Sequence, residues 1–364
     1  MYRRRGGKNL SANAILTDNI TVNEGVLDAI NKDQVSGKNF IPWTPIGTSG
    51  SHDAAYSGTF DGQGYTISGL YFNDPKASHV GLFGCIGAEG KISNVGVSDS
   101  YFQSSNCPYI GGVCGSNSGI LQNCSNSSTV IGNYSNTGGV CGMNWSGIVR
   151  DCKNTGSVRG LAAIGGVCGL NEKGGIIENS FNEGTVSGTG DNVQQVGGVC
   201  GYNNGTIKSC YNTASVSGQN SVGGVCGNGC GVTTTNCFNG GIVSGQSHVS
   251  GVCGYDYNYD GTLTNCYYLI DTATGGMEGK NVSGKAEKMS LEQFKSGEVA
   301  WLLNGKGFGK QVWGQHLDKD PYPVLGSDYK VIKAARGDMD ANGNDTYWAT
   351  FSNLTNDATL SVPS

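Results

Sequence analysis

Gly197-Gly-Val-Cys-Gly-Tyr-Asn-Asn-Gly-Thr-Ile-Lys-Ser-Cys-Tyr-Asn-Thr-Ala-Ser-Val-Ser-Gly-Gln-Asn-Ser-Val222 is one unit of a repeating chain. Its opening, Gly-Gly-Val-Cys-Gly, also begins at Gly111, Gly138, Gly165 and Gly223, and returns as Ser250-Gly-Val-Cys-Gly. Cys114, Cys141, Cys168, Cys200, Cys226 and Cys253 therefore hold one position, at spacings of 27, 27, 32, 26 and 27 residues. A period of this length marks a stacked repeat, in which each unit is a layer that cannot bury its apolar side alone.

Within the unit, three apolar pieces of a few residues each are separated by Asn, Gly and Ser clusters. Such pieces are too short for helices, and their flanks tolerate positive backbone φ, so short strands joined by tight turns are predicted. Aligned copies give columns: Leu121, Val149, Ile177, Ile207, Thr234 and Leu263; then Cys124, Cys152, Ser180, Cys210, Cys237 and Cys266; then Val130, Val158, Val186, Val216 and Val243. The valine before the first cysteine (Val113, Val140, Val167, Val199, Val225, Val252) completes the set. Like residues recurring coil after coil build interior ladders in a parallel solenoid, and the chain reads as an all-β, right-handed parallel β-helix. A further column, Asn126, Asn154, Asn182, Asn212 and Asn239, is expected at a corner, where Asn accepts the left-handed conformation and its amides can bond along the axis.

Composition narrows the class. Of 364 residues, 62 are Gly and 7 Pro, and 14% are charged against roughly 25% in an average soluble domain. The net charge of −5 argues against nucleic-acid binding through phosphate neutralisation. No run approaches the roughly 20 apolar residues of a membrane-spanning helix. Basic residues at Arg3, Arg4 and Arg5 precede no apolar stretch, so no secretion signal is visible: either the protein stays inside, or the chain is a piece whose true beginning is missing.

Fourteen cysteines suggest disulfides at first sight. In-register side chains in a parallel stack point the same way, which is poor geometry for the S–S dihedral, and Ser180 interrupts one column. Most are expected to be buried thiols acting as small apolar fillers, with Cys230 the most exposed.

The 196–213 segment, Val-Gly-Gly-Val-Cys-Gly-Tyr-Asn-Asn-Gly-Thr-Ile-Lys-Ser-Cys-Tyr-Asn-Thr, resembles the GLUG-motif repeat of bacterial surface proteins. Residues 57–72, Ser-Gly-Thr-Phe-Asp-Gly-Gln-Gly-Tyr-Thr-Ile-Ser-Gly-Leu-Tyr-Phe, are similar to the coil that commonly precedes such repeats, and Val80-Gly-Leu-Phe-Gly84 looks like a shortened copy. The likeness covers about residues 42–270. It implies a secreted or wall-attached bacterial protein, either adhesin-like or the non-catalytic part of an IgA-cleaving metallopeptidase. No His-Glu-x-x-His occurs, and His52, His79, His248 and His316 are scattered, so peptidase chemistry has no residues to carry it.

The expected organisation is an N-terminal segment over 1–45, a β-helix over 46–276, a helical C-terminal cap over 277–330, and a linker with the start of a further β domain over 331–364. Ser290-Leu-Glu-Gln293 reads as a capping box opening the cap, with Leu291, Phe294, Val299, Trp301, Leu302 and Leu303 available to dock.

Three stretches are candidate sites. Phe181, Tyr211, Phe238 and Tyr267 follow the second cysteine in successive coils. If the chain bends there, the cysteines face inward and the rings form an exposed ladder for a glycan or protein partner; if it does not, the rings are core. Charged Arg150, Glu178 and Lys208, two positions before the cysteine, favour the bend. Asp338, Asp340 and Asn342 have the alternation of a calcium loop, although Ala349 stands where an EF-hand needs Glu, so calcium is the one cofactor considered. Tyr255-Asp-Tyr-Asn-Tyr-Asp260 is a loop of rings and acids that could grip a sugar or cation but reads first as a solvated turn. The expected function is a non-enzymatic stalk or adhesin at the surface of a bacterium or secreted from it, meeting a host or neighbouring-cell protein or glycan. The alternative is a β-helical carbohydrate-active enzyme, which would need converging carboxylates, or the accessory region of a larger surface hydrolase.

Overall fold

A computed structural model describes residues 9–35, 38–48, 54–74, 77–190, 193–229, 233–256, 262–278, 283–306, 311–317, 319–335 and 346–352, without the side chains of 332–335 and 346–352. Each coil of the solenoid is a circuit of short strands. In the template unit these are Gln194–Gly197, Cys200–Asn203, Thr206–Lys208, Tyr211–Asn212 and Val216–Ser217. Equivalent strands of successive coils pair in parallel, which gives sheets of nine, seven, seven and fifteen strands.

The register matches the sequence columns. Cys114 lies beside Cys141, and the row continues through Cys168, Cys200, Cys226 and Cys253. Leu121, Val149, Ile177, Ile207, Thr234 and Leu263 form a second row, and Val130, Val158, Val186, Val216 and Val243 a third. All these side chains are buried. The 32-residue spacing places its extra residues in turns, between Asn171 and Ile176 and between Gly188 and Gln194, and pairing on both sides stays in step.

Corners explain which residues face inward. Asn94, Asn123, Asp151, Asn179, Ser209, Asn236 and Asn265, each just before the second-cysteine position, have φ between 48° and 56°. This left-handed residue turns the chain so that the following cysteine or serine enters the core. The left-handed corner is thus not at the Asn126 column, as expected, but three residues earlier. Asn126, Asn154, Asn182, Asn212 and Asn239 instead lie inside strands and are fully buried.

Their amides satisfy one another. Asn126 Nδ2 donates to Asn154 Oδ1 at 2.8 Å, Asn154 to Asn182 at 2.8 Å, Asn182 to Asn212 at 2.7 Å and Asn212 to Asn239 at 2.8 Å. The second amide hydrogen goes to the carbonyl two residues on, as from Asn182 to Gly184 at 2.7 Å, and Gly184 N returns a bond to Asn182 Oδ1 at 3.3 Å. A second ladder, absent from the sequence reading, joins Asn117, Asn144, Asn171 and Asn203 in the same direction at 2.8–2.9 Å. A buried amide so paired avoids a desolvation penalty of about 1–3 kcal/mol per orphaned group.

These ladders dictate the glycines. A Cβ on Gly139, Gly166, Gly198 or Gly224 would overlap the Asn amide stacked against it, and one on Gly138, Gly165, Gly197 or Gly223 would strike the cysteine carbonyl three residues on. The glycine after each cysteine faces backbone of the preceding coil, as at Gly201 and Gly227. Gly-Gly-Val-Cys-Gly therefore records three close backbone approaches.

The ends are finished differently. Ala14–Ile15 and Ile20–Thr21 start the winding by pairing with Thr59–Asp61 and Thr66–Ser68. Helix α1 (Val26–Asn31) packs outside, its first amides donating to Asp99. The last parallel strand, Ala286–Met289, pairs with Cys266–Leu269, so winding passes residue 276. Ser290 then opens α2 (Leu291–Lys295) with the expected capping box: its Oγ accepts from Gln293 N, and its own N–H donates to the Gln293 side chain. Helix α3 (Glu298–Leu303) and an antiparallel pair, Trp313–Gly314 with Val324–Leu325, complete the cap. A hairpin of Tyr329–Ala335 with Thr346–Ser352 follows.

Two substitutions and a control test the amide ladder by urea unfolding followed by circular dichroism. Asn182→Leu strands Asn154 Nδ2 and Asn212 Oδ1 and is expected to cost about 1–3 kcal/mol for each. Gly198→Ala is expected to destabilise strongly, whereas Gly87→Ala, whose Cβ meets only ordinary contacts, leaves the midpoint nearly unchanged. Equal midpoints for the two alanine variants would contradict this account.

Candidate functional site

The left-handed corner sends the cysteine inward and the next residue outward, so Phe181, Tyr211, Phe238 and Tyr267 do stack on the outer wall in register. Phe181 and Tyr211 have centroids 4.6 Å apart at 4°, and Tyr211 and Phe238 are 5.0 Å apart at 3°. The expected solvent exposure is not found. Tyr211 is 7%, Phe238 0% and Tyr267 6% exposed, and only Phe181 is half-buried.

The cap covers them. Phe294 and Trp313 pack on Phe238 at 5.6 and 5.4 Å, Trp313 also reaches Tyr211, and Val299, Ala300, Leu303 and Val331 close the cluster. Asn265 Nδ2 donates to Leu302 O at 3.0 Å, pinning α3 to the corner. Inside the cap, Asn304 bridges Val312 and Trp313, while Gln315 donates to Phe294 O and Asp320 O. Burial and the Glu183 carboxylate hold the Tyr211 phenol far above its usual range. The rings are a docking strip for the chain's own C-terminal segment, which a solvent-facing partner does not reach.

The thiols are equally enclosed. Thirteen described cysteines are buried and free of disulfides; Cys230 lies outside the described residues. In the first column Cys114 Sγ–H donates to Cys141 Sγ at 3.4 Å and the later thiols donate to the carbonyl two residues ahead, as Cys141 to Met143 O at 3.1 Å; in the second they donate two residues back, as Cys210 to Lys208 O at 3.3 Å. Ser180 repeats the second pattern, donating to Glu178 O at 2.8 Å, which is why it can replace cysteine there. Burial pushes Cys85 up to about 11 and Cys107 to about 12, and raises Cys141, Cys152, Cys200, Cys210 and Cys237 well above the ordinary thiol value. Nucleophilic or metal-binding use requires thiolate, which these sites disfavour.

The calcium-like Asp338, Asp340 and Asn342 and the loop residues Tyr257 to Asp260 lie outside the described residues. Among the described residues no three His, Cys, Asp or Glu side chains converge as a metal group, and no helix is long and apolar enough to cross a membrane.

A cleft that the sequence did not reveal sits at the N-terminal rim, between residues 42–48 and the described residues 71–74 and 77–79. Trp43, Tyr71, Asn73, Asp74, Ser78 and His79 line its cavity of about 460 Å³. Trp43 N–H donates to Tyr71 O at 2.8 Å and Ile46 N–H to Leu82 O at 3.1 Å, so both walls belong to the solenoid.

Comparison with known proteins agrees with the fold. The model of the GLUG motif matches residues 160–187 and 192–217, the units whose columns are traced above. The chain carries GLUG repeats. An 84-residue stretch is 32% identical to a protein of Evansella cellulosilytica named "Putative Gly-rich membrane protein", covering 23% of this chain and 9% of that protein. An 89-residue stretch is 36% identical to halomucin of Haloquadratum walsbyi, covering 24% of this chain and 1% of halomucin. The matches thus span a small part of either relative. A crystal structure from Bacteroides ovatus described as a "putative immunoglobulin A1 protease" superposes with a TM-score of 0.50 over 87% of this chain and 86% of that one, at 17% identity, and shares the fold.

In this GLUG array the structure gives the aromatic position a definite role, and stability should report it. Phe238→Ala is expected to cost about 3–5 kcal/mol and to free the cap for limited proteolysis near residue 290, with the coils intact. Wild-type cleavage rates in the variant would refute the docking. Alkaline stability follows from the thiols. Burial favours the neutral thiols of Cys85 and Cys107, so the stability these two groups contribute is whole below the ordinary value near 9 and lost as pH rises through their folded values of about 11 and 12. Unfolding midpoints should fall above pH 9, and less steeply in Cys107→Ala.

Proposed function

We propose that this chain is a non-enzymatic β-helical spacer of a bacterial surface or secreted protein, holding a contact surface for a protein or glycan away from its attachment. The observation that carries this reading is the parallel pairing that runs from Ala14 to Met289, with one register shift between Ser127 and Thr129. Nine strands in one sheet at about 4.8 Å each give a rod of roughly 40 Å whose buried asparagine amides are paired coil by coil. Relatives named as a membrane protein and as halomucin support a surface setting. The acidic side chains support a structural role: Asp151 accepts from the corner amide of Asn179, and Glu178 sits in register between Arg150 and Lys208.

Antibodies to the purified chain are expected to label intact cells of the source organism or to detect the protein in its medium. Signal only after lysis would overturn the surface reading. Incubation with a panel of plant, bacterial and host polysaccharides is expected to release no new reducing ends, and depolymerisation would replace this reading with an enzymatic one.

A further inference from the structure

We propose that two copies of this chain pair side by side, with their rods antiparallel, through the outer face of the nine-stranded sheet at Ile120–Gln122, Ile148–Arg150, Ile176–Glu178 and Thr206–Lys208. Lateral pairing goes beyond the spacer role and is read on the isolated chain, so either can fail without the other.

In these strands the middle residue, Leu121, Val149, Ile177 or Ile207, points into the core, so the residues on either side of it face out. One outer row is apolar: Ile120, Ile148 and Ile176 stand beside one another, each half-buried. The coil does not need isoleucine there, because the same row holds Lys91 on the coil before and Thr206 on the coil after. Trp145, in the turn leading into Ile148, is 57% exposed, while its backbone N–H is fixed to Asn117 O at 2.8 Å. An exposed Trp and an Arg beside an apolar row on a rigid wall have the composition of an interface rather than of a solvated face.

The second outer row names the partner. It runs Gln122, Arg150, Glu178, Lys208, neutral, positive, negative, positive, in register. Arg150 Nη2 donates to Gln122 Oε1 at 2.8 Å, and the one ion pair among the described residues is Lys32 with Asp28, so Glu178 is paired with neither of its basic neighbours. A two-fold axis along the strand direction, passing between the Ile148 and Ile176 coils, lays each row of one copy on the same row of the other in reverse order. Arg150 then meets Glu178 of the second copy, and Glu178 meets Arg150 of the second copy; Gln122 meets Lys208, and Ile148 meets Ile176. Moving the axis onto either coil sets Arg150 against Arg150 or Glu178 against Glu178, and turning it along the rod sets the charged row on the isoleucines or leaves it without a partner. The face is thus complementary to itself in a closed, isologous arrangement. Strands stay aligned, as in face-to-face sheet packing at about 10 Å. Four coils at about 4.8 Å, three residues wide, cover only a few hundred Å² per copy, which belongs to the small, transient class of interface.

The test is sedimentation equilibrium of the whole purified chain from about 1 to 300 μM, with melting curves as a check on folding. A reversible monomer–dimer equilibrium is expected, with Kd in the micromolar range and weaker as salt is raised. Arg150→Glu and Glu178→Arg each place like charges opposite one another twice per dimer, so each alone is expected to weaken pairing roughly tenfold or more. Mixed together, the two variants are expected to pair about as well as wild type, because each supplies the charge that the other has lost. Ile148→Lys, which copies Lys91 of the same row, should also weaken pairing, and Ile131→Lys on the outer wall of the fifteen-stranded sheet should leave it unchanged. A chain that is monomeric throughout this range, which leaves the face to a different protein, overturns the proposal. So do dimers indifferent to Arg150→Glu, and charge variants that melt as wild type yet do not recover when mixed. If a charge variant unfolds, Ile148→Lys with a normal melting curve decides the outcome, and wild-type pairing in it overturns the proposal.

Discussion

The stacked amides of Asn126, Asn154, Asn182, Asn212 and Asn239 tie each coil to the next through bonds that have no solvent to replace them. A one-residue slip in any strand would bring an outward side chain into the row and leave two amides unpaired in a dry interior. The amides therefore act on specificity as much as on stability: apolar columns tolerate exchange, as Thr234 among Leu, Val and Ile shows, whereas the asparagine row admits no such variation across its five coils. The glycine pairs follow from the same demand, because the amide occupies the volume where their Cβ atoms would sit.

Outside this core the molecule solves a second problem. The corner that turns cysteine inward throws the next residue outward, and where that residue is aromatic the wall becomes apolar. The C-terminal segment covers this strip along its side, across several coils, with two short helices and a small hairpin. Lateral docking spreads the cap's contacts over Tyr211, Phe238 and Tyr267, so no single coil bears the whole attachment.

Periodicity made the solenoid legible. A column that repeats in sequence repeats in space, and the cysteine, leucine–isoleucine and valine rows appear in the structure as aligned. The capping box at Ser290 was readable because it is local chemistry. Two misjudgements have physical causes. Asn occupies both the corner, alongside Asp and Ser, and the buried row, so residue type alone does not tell the left-handed position from the amide ladder three residues on. Phe238 was expected to be exposed because the rings that cover it, Phe294 and Trp313, come from a non-repeating segment far along the chain. The Asn117 row escaped notice since Asn203-Asn204-Gly205 reads as a turn, although its first member is interior. The rim cleft had no sequence signature at all: it forms where residues 42–48 cross the strand Tyr71–Asn73, a tertiary contact.

Every amide in both buried rows donates toward the C-terminus. Aligned dipoles of this kind give the rod a polarity that its outline alone does not disclose. A growing array can accept a whole extra turn anywhere along its axis, since each turn offers acceptors on one side and donors on the other, but never an inverted one. Gene duplication by complete periods can thus lengthen or shorten such a protein without redesigning its interior.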